Sequence, residues 1–280
     1  LAVIMLAPEV FEPLRQVGAQ FHASANGVTA SKAAFDIIEE AEAVASPGTD
    51  ACPDMARTDI VLDGLGVRAR GAWAPAPTNG VIAPGVVTAL SGPSGAGKST
   101  IVACLLADMT PEAGRVLLRP SSSVSGGSIL SDIDPVTWRR QISWVPQSPT
   151  LVPGTILDNM GDLPLDDLND AAAATGFDDV LAATPDGWNT VIGSGGVGLS
   201  VGQRQRLALT RALAAHSQVV ILDEPTAHLD AVSEETVVRA IDAMRDAGRT
   251  VIVIAHRAAM MEAADAIIDV RSAADEEARA

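Results

Sequence analysis

The segment Gly92–Ser99, GPSGAGKS, constrains the fold of this chain more than any other stretch. It matches the pattern G-x-x-x-x-G-K-[ST] and lies between an apolar run, GVVTALS, and a segment of helical composition, STIVACLLADM. In such a strand–loop–helix unit, glycines let backbone N–H groups turn toward a phosphate, and the dipole of the helix favours the negative charge. The sequence therefore predicts a phosphate-binding loop at the end of a buried strand.

The side chains of this loop suit a nucleoside triphosphate with Mg²⁺. Lys98 is one of two lysines in the chain, and it is placed to reach the β- and γ-phosphates. The hydroxyl of Ser99 is a candidate Mg²⁺ ligand. The other predicted nucleotide contacts in the loop and the following turn are Gly92, Ser94, Gly95, Ala96, Gly97 and Thr100.

A second apolar run, VVILDEP at Val219–Pro225, contains two adjacent carboxylates at its end. Many strands end in acidic residues, so this pattern alone is weak. Paired with the upstream phosphate loop, it predicts that Asp223 holds Mg²⁺ through water. Glu224 is then expected to face the γ-phosphate and to polarise an attacking water.

A third segment, LSVGQRQRLALTRAL, begins at Leu199 and follows a glycine-rich loop. Ser200 is a candidate cap for the helix that starts there. Gly202 removes side-chain bulk where a ligand could approach. The segment therefore predicts a second helix N-terminus that could face a phosphate.

The composition excludes some classes of function. The net charge of −16 and the pI of about 4.5 argue against a nucleic-acid partner, because phosphate contacts need clustered Lys and Arg. The two cysteines, Cys52 and Cys104, have no metal-ligand spacing and are too few for a disulfide scaffold, as expected in a reducing compartment. No charged region precedes the apolar start, so we expect no signal peptide.

Apolar β-branched runs alternate with helical segments from Thr58 onward, which predicts an α/β fold whose parallel sheet is covered on both faces. TDIVL is the first predicted strand, and SVSGGS is a predicted loop in a small antiparallel region. Leu151–Asn189 is acidic, alanine-rich and helical. The runs VVILDE and TVIVIAH alternate with the helices QRQRLALTRALAA and SEETVVRAIDAMRDAG.

The residues before Thr58 have a different character. Leu1–Ala7 is apolar but too short to cross a membrane by itself. Apolar residues at seven-residue spacing then predict one helix from Pro13 to about Glu40 with a packing seam. Ala45–Arg57 has the composition of a linker. The seam residues are Leu14, Phe21, Val28 and Phe35.

The motifs between about Thr58 and Val270 resemble those of ABC-transporter ATPases. LSVGQ is similar to the signature motif of that family and differs from the commonest form, LSGGQ, only at Val201. WVPQ places Gln147 where the Q-loop glutamine of the family stands. AHLD resembles the D-loop and ends at Asp230, and VIVIAHR resembles the switch strand with its histidine, His256.

The resemblance implies a P-loop NTPase fold, with a RecA-like core, a mainly parallel sheet and a small antiparallel β region. Residues 58–270 would form the nucleotide-binding domain, with a helical subdomain at about 148–204 and a tail at 271–280. The implied cofactors are ATP and Mg²⁺. The implied catalytic residues are Gln147, Glu224 and His256, and the implied Mg²⁺ ligands are Ser99, Gln147 and Asp223.

The resemblance also implies a partner, because two such domains pair head to tail. ATP on one P-loop then meets the signature helix of the other domain. The implied ATP contacts outside the P-loop are Ser200, Gly202, Gln203 and Asp230.

Two positions depart from the family pattern. The family usually stacks an aromatic residue, often Tyr, on adenine, whereas this chain has no Tyr and the aligned position is near Ala69. Arg68, Arg70 or Trp73 could replace it by cation–π or stacking contact. Exporters tend to carry an acidic residue before the signature loop, where this chain has Ser194.

Three kinds of ABC protein fit these motifs: an exporter half with its membrane domain on the same polypeptide, a free-standing importer subunit, and a soluble ATPase. The residues before the first strand favour the exporter, with 1–44 as the cytoplasmic end of its last transmembrane helix and 45–57 as the linker. The segment APEVFEPLRQVGAQFHASANGVTASKAAFDIIEE is similar to the segment that joins the two halves of the D subunit in the Cyd-type thiol exporters.

That narrower resemblance implies a heterodimer at the cytoplasmic face of the bacterial plasma membrane. It would export cysteine or glutathione and be linked to cytochrome bd assembly. The alternatives are an exporter of lipid, drug or peptide, and a soluble ABC ATPase that takes no part in transport.

Overall fold

The fold is described from a computed structural model, which covers residues 48–277 except for residues 70, 124, 197, 227–230 and 256. The predicted helix at 13–40 and the proposed end of a membrane helix at 1–44 lie outside the described residues. So do the predicted site residues Asp230 and His256.

The described strands form a five-stranded parallel sheet, a four-stranded antiparallel sheet and two short antiparallel pairs. In chain order the strands are β1 (Thr58–Gly66), β2 (Arg68–Ala69), β3 (Ala72–Trp73), β4 (Thr78–Ile82), β5 (Val87–Ser91), β6 (Ala113–Pro120), β7 (Ser128–Ile129), β8 (Ile142–Val145), β9 (Gly154–Thr155), β10 (Val191–Ile192), β11 (Val219–Asp223), β12 (Thr250–Ile254) and β13 (Ala266–Asp269).

Helices connect these strands and cover the parallel sheet. Short 3₁₀ turns at several points complete the connections. In chain order the α-helices are α1 (Lys98–Leu105), α2 (Pro135–Arg139), α3 (Leu165–Thr175), α4 (Asp178–Ala183), α5 (Val201–Ala214), α6 (Ala231–Asp246), α7 (Ala258–Glu262) and α8 (Ala273–Glu277).

The parallel sheet has the strand order β13–β5–β12–β11–β8. Every residue of β12 is buried, as expected for a β-branched run with helices on both faces. Leu222 of β11 pairs with Val145 of β8 on one side and with Val253 of β12 on the other, so these strands end at the same level. The loops that follow β5, β8 and β11 therefore meet at one edge of the sheet.

The antiparallel sheet has the order β4–β1–β6–β7 and packs with α1 against the parallel sheet. Its central strand, β1, pairs Ile60 with Ile82 on one side and with Leu118 on the other, and all three side chains are buried. The same core cluster contains Trp138, whose indole N–H donates to the backbone O of Leu105 at 2.8 Å. This hydrogen bond fixes α2 against the end of α1.

A separate apolar cluster lies in the helical region between β9 and α5. Phe177, Leu168 and Ile156 are fully buried there together with Leu207 of α5. The hydroxyls of Thr175 in α3 and Thr210 in α5 are 2.6 Å apart and buried. The region therefore has its own core and is joined to the sheet through α5.

These observations confirm the predicted fold class: an α/β P-loop fold with a mainly parallel sheet, a small antiparallel sheet and a helical region. The part of residues 45–57 that is described, from Gly48 onward, lies against the domain. Asp50 pairs with Ile133 in a parallel bridge, and Met55 is fully buried. Over the residues that the structure describes, we find no helix with the length and apolar character needed to cross a membrane.

Candidate nucleotide site

The predicted phosphate-binding loop lies between β5 and α1. Strand β5 ends at Ser91 and α1 begins at Lys98, with Gly97 in the left-handed region at φ 100° as the residue before the helix. Gly92, at φ +152°, would place a Cβ atom 2.1 Å from the backbone O of Val270. A Cβ atom on Gly97 would lie 2.1 Å from the backbone N of Pro75. Backbone atoms from distant segments thus occupy the space beside both glycines, which excludes any side chain there.

Lys98 lies at the start of α1 and is 5% exposed. Its ammonium group donates to the backbone O of Gly92 and of Pro93, each at 2.8 Å. Burial lowers the pKa of Lys98, and the charges of Glu224, Asp223 and Asp275 oppose that shift. The lysine therefore brings a largely buried, charged donor to the loop, where it could bind an anionic ligand.

Ser99 and Thr100 follow Lys98 in the first turn of α1, and Ser99 is exposed. Ser94 and Gly95 are also exposed at the tip of the loop, whereas Ala96 is buried beneath it. The loop backbone and the hydroxyls around it are thus accessible, and the apolar Ala96 fixes the loop to the core. This arrangement fits a polyphosphate held by N–H groups.

Two carboxylates and one amide converge at the same edge of the sheet. Asp223 is the last residue of β11 and Glu224 follows it, while Gln147 lies two residues after the end of β8. The side-chain amide of Gln147 donates to Oε2 of Glu224 at 2.9 Å. Because β8 and β11 are neighbours, this contact follows directly from the sheet order. The structure therefore brings together Gln147, Asp223, Glu224 and the lysine of the loop.

The backbone of Glu224 has φ +46°, which is rare for a residue other than glycine. Such a conformation costs about 1–3 kcal/mol and occurs often at functional sites. It orients Glu224 differently from the strand that precedes it, and the carboxylate reaches the amide of Gln147. The strain is consistent with a functional position for this carboxylate.

The donor set at this edge fits Mg²⁺. A hydroxyl at Ser99, a carboxylate at Asp223 and an amide oxygen at Gln147 are hard oxygen ligands of the type that Mg²⁺ prefers. Across the described residues, no group of three or more His, Cys, Asp or Glu side chains is arranged to hold a metal alone. A Mg²⁺ ion here would therefore need phosphate and water oxygens as well, as is usual for this ion.

The helix α5 begins as predicted, with Ser200 as its cap. The Ser200 hydroxyl accepts from the N–H of Gln203 at 3.2 Å, and the Gln203 side chain accepts from the N–H of Ser200 at 2.8 Å. This reciprocal pair is a capping box. Gly202 lies in the first turn, and Leu199, just before the cap, belongs to the core of the helical region. The predicted ATP contacts Ser200, Gly202 and Gln203 therefore lie at the start of α5, and not in the β5–α1 unit.

A cation–π pair lies near the loop, in the short hairpin of β2 and β3. The guanidinium of Arg68 is 4.7 Å from the centre of the Trp73 ring. The chain continues from Trp73 to Ala74 and Pro75, which pack against Gly97. Of the three predicted substitutes for the missing aromatic residue, Arg68 and Trp73 are therefore combined in one unit, while Arg70 is outside the described residues.

Sequence reasoning missed the backbone contacts that Pro75, Val270 and Arg271 make around the loop. The N–H of Val270 donates to the O of Ser91 at 2.7 Å, and the N–H of Ala76 donates to the O of Arg271 at 2.7 Å. Gly92 and Gly97 were the signal in the sequence, since glycines in such a loop indicate that another part of the backbone lies close to them. They do not identify which segment that is.

The sequence matches the family of ABC transporters over residues 77–227. This chain belongs to the ABC transporter family. Residues 77–227 include the loop, the two carboxylates, Gln147 and the cap of α5, so the matched region contains most of the site described above. As an ABC-transporter ATPase domain, the chain is an ATP-binding domain.

The relatives point to the exporter type of ABC ATPase. The chain is 35% identical over 270 residues to an ATP-dependent lipid A-core flippase of Cupriavidus metallidurans, covering 92% of this chain and 43% of that protein. It is 34% identical over 272 residues to the glutathione/L-cysteine transport system ATP-binding/permease protein CydD of Haemophilus influenzae, covering 94% and 44%.

A solved structure of a bacterial Atm1-family ABC exporter with ATP bound is similar to this chain, with a TM-score of 0.71 and 26% identity. The similarity covers 94% of this chain and 45% of that exporter. The chain thus spans less than half the length of the ABC exporters it matches here. It corresponds to an ATP-binding domain of exporter type.

Proposed function

We propose that this domain is the motor of an ABC exporter, which binds ATP with Mg²⁺ and hydrolyses it to drive transport. The observation that carries the proposal is the convergence of Lys98, Gln147 and Glu224 at one edge of the parallel sheet. Hydrolysis would occur by direct attack of water on the γ-phosphate, with no covalent enzyme intermediate. The similarity to an Atm1-family exporter with ATP bound supports the assignment.

Each residue at the edge has a proposed role. Lys98 would exchange its two backbone carbonyl partners for oxygens of the β- and γ-phosphates. Glu224 would accept a proton from the attacking water, and Gln147 would orient that water while it holds the carboxylate. Ser99, Asp223 and Gln147 would hold Mg²⁺, which offsets the phosphate charge when it is bound.

The remaining predicted contacts require a second domain. Ser200, Gly202 and Gln203 lie at the start of α5, where the capped helix presents its positive end. We propose that these residues and Asp230 meet ATP bound to the P-loop of a partner domain. His256 is proposed to contact the γ-phosphate.

The cation–π pair is the proposed contact for the adenine ring. Arg68 and Trp73 together offer a flat, cationic surface, and the chain runs from there directly to the residues that pack on Gly97. A guanidinium plane and an indole ring both stack well on aromatic bases. This pair would replace the tyrosine that is common in the family.

A membrane domain on the same polypeptide is the proposed mechanical partner. A cleft of about 410 Å³ adjoins the edge strand β8 and is lined in part by Trp144, Met160, Leu163 and Arg211. Trp144 is 44% exposed, and burial lowers the pKa of Arg211, so the cleft combines an exposed aromatic surface with a poorly hydrated cation. Because Gln147 follows β8 closely, a partner seated in this cleft would be linked to the catalytic carboxylate.

We further propose that residues 1–44 are the cytoplasmic end of the last transmembrane helix of that membrane domain and that 45–57 are the linker, so that the ATPase faces the cytoplasm. The proposed substrate is a small thiol, cysteine or glutathione, and the proposed assembly is a heterodimer. Similarity to CydD supports the thiol, whereas similar identity to a lipid A-core flippase supports a lipid as the alternative.

The ATPase proposal is tested with Glu224→Gln in the full-length transporter. The amide keeps an acceptor oxygen but is not a base, so we expect phosphate release to slow about 10²–10⁴-fold while ATP binding is retained. Glu235→Gln, the same change at an exposed position on α6, is the matched control and should keep wild-type turnover. Near-normal turnover of Glu224→Gln would refute its role as the base.

The substrate proposal is tested separately by uptake into inside-out vesicles that carry the full transporter and its partner subunit. ATP-dependent accumulation of cysteine or glutathione, absent with Glu224→Gln, is the expected result. Accumulation of a lipid or drug without thiol uptake would overturn the thiol proposal and leave the ATPase assignment intact.

A further inference from the structure

The loop that leads into α5 is held in place by an arginine of that helix. Arg204 lies near the start of α5, and its guanidinium donates to the backbone O of Leu199 at 2.7 Å. Leu199 directly precedes the cap, Ser200, and its own N–H donates to the backbone O of Gly196 at 3.0 Å. A charge-assisted hydrogen bond from a planar guanidinium fixes direction as well as distance. The backbone before the cap is therefore tied to the helix that follows it.

The aliphatic part of the same side chain packs on this loop. A Cβ atom on Gly196 would lie 2.7 Å from Cδ of Arg204 and 2.9 Å from Cδ1 of Leu151. The stem of the arginine and the side chain of Leu151 therefore fill the space beside Gly196. Gly196 and Leu151 are both buried, and Leu199 belongs to the same core cluster as Leu151. Arg204 thus holds the loop at two points, with its guanidinium at Leu199 and with its stem at Gly196.

The same loop is joined to the segment that follows Gln147. Leu151 lies four residues after Gln147, and its backbone O accepts from the N–H of Gly195 at 3.2 Å. The side-chain amide of Gln147 donates to the carboxylate of Glu224 at 2.9 Å. The loop before α5 is therefore held from two sides, by Arg204 of the helix and by the segment that carries Gln147.

We propose that Arg204 is a positioning residue for the ATP site that α5 forms with a partner domain. The proposal rests on the proposed role of Ser200, Gly202 and Gln203 as contacts to ATP on the partner. Arg204 itself does not touch the nucleotide. It fixes the loop before the cap, so that the cap and the positive end of α5 face the phosphate in one orientation. The contact surface is then already in place when the two domains meet.

The test compares Arg204→Met and Arg204→Lys with the wild type in the full-length transporter assembled with its partner. Methionine keeps a flexible apolar stem but has no donor for the backbone O of Leu199, whereas lysine keeps both a stem and a charged donor. We expect ATP turnover to fall about 10- to 100-fold in Arg204→Met, because a small displacement of a contacting group is enough for such a loss. Arg204→Lys should regain at least part of that turnover.

Two controls separate positioning from a general loss of structure. Calorimetric titration of the purified 280-residue chain should show the same ATP affinity for Arg204→Met and the wild type, because the P-loop of this chain lies in the β5–α1 unit and not at the start of α5. Arg140→Met makes the same change at an exposed position at the end of α2, and it should keep wild-type turnover.

Wild-type turnover in Arg204→Met, or equal turnover in Arg204→Met and Arg204→Lys, would overturn the proposal. Weaker ATP binding by the purified Arg204→Met chain would also overturn it, because the arginine would then act on the whole domain. Ser200→Ala tests the premise separately and should itself lower turnover. Wild-type turnover in Ser200→Ala would instead refute the contact between α5 and the partner's ATP on which the proposal rests.

Discussion

Replacing Gly92 by Ala should destabilise the domain far more than the same change at Gly95, although both glycines lie in one loop with positive φ. At Gly95 a Cβ atom would meet no other atom within 4 Å, so the cost is only backbone strain, about 1–2 kcal/mol. At Gly92 the new Cβ atom would lie 2.1 Å from the backbone O of Val270. The loop and the segment after β13 cannot both keep their positions.

The additional cost at Gly92 can be estimated from what must move. Normal contact needs a separation of about 3.5 Å, so the carbonyl of Val270 must retreat by more than 1 Å. That movement disturbs a fully buried side chain, which costs about 1–3 kcal/mol. It also strains the 2.7 Å hydrogen bond from Val270 to Ser91, worth roughly 0.5–1.5 kcal/mol. With the backbone strain added, the total is about 2.5–6.5 kcal/mol for Gly92→Ala.

The assay is urea denaturation of the wild type and both variants, followed by circular dichroism. We expect the free energy of unfolding to fall by about 1–2 kcal/mol for Gly95→Ala and by at least twice that amount for Gly92→Ala. Equal losses in the two variants would refute the reasoning, because they would mean that the contact with Val270 carries no weight.

Two further predictions concern the core. Trp138→Phe removes the indole donor from the backbone O of Leu105, and we expect urea denaturation to show a loss of about 1–3 kcal/mol; an unchanged unfolding midpoint would contradict this. Burial raises the pKa of the Cys104 thiol from 9.0 to about 11, so the folded chain keeps a proton there that the unfolded chain releases. The free energy of unfolding should therefore fall as pH rises from 9.0 to about 11, and the fall should be smaller in Cys104→Ala. The same pH dependence of unfolding in Cys104→Ala and the wild type would contradict this prediction.

Much of the site could be predicted because its chemistry is encoded locally. The glycine loop after β5 and the paired carboxylates after β11 each follow a recognisable strand, and parallel strands bring their ends to one edge. The cap of α5 was also predictable, since Ser200 stands directly before a run of strong helix formers and Gln203 completes the box. These features depend on a few neighbouring residues.

The features that escaped prediction depend on long-range contacts. Val270 lies 178 positions from Gly92, and neither residue type reveals the pairing of their backbones. The Arg68–Trp73 contact was equally hidden, because the composition only suggested several candidates for an adenine contact. The segment from Gly48 to Arg57 has linker composition, yet its backbone pairs with Ile133 and buries Met55. Only the tertiary arrangement settles such contacts.

The central claim, that the β5–α1 loop binds ATP through Lys98, is tested most directly by calorimetric titration of ATP into the wild-type chain and Lys98→Ala. The account predicts binding by the wild type and a loss of affinity of at least about tenfold in the variant, since a charge-assisted hydrogen bond is worth roughly 1.5–3 kcal/mol. Equal affinity in the two proteins would contradict the account.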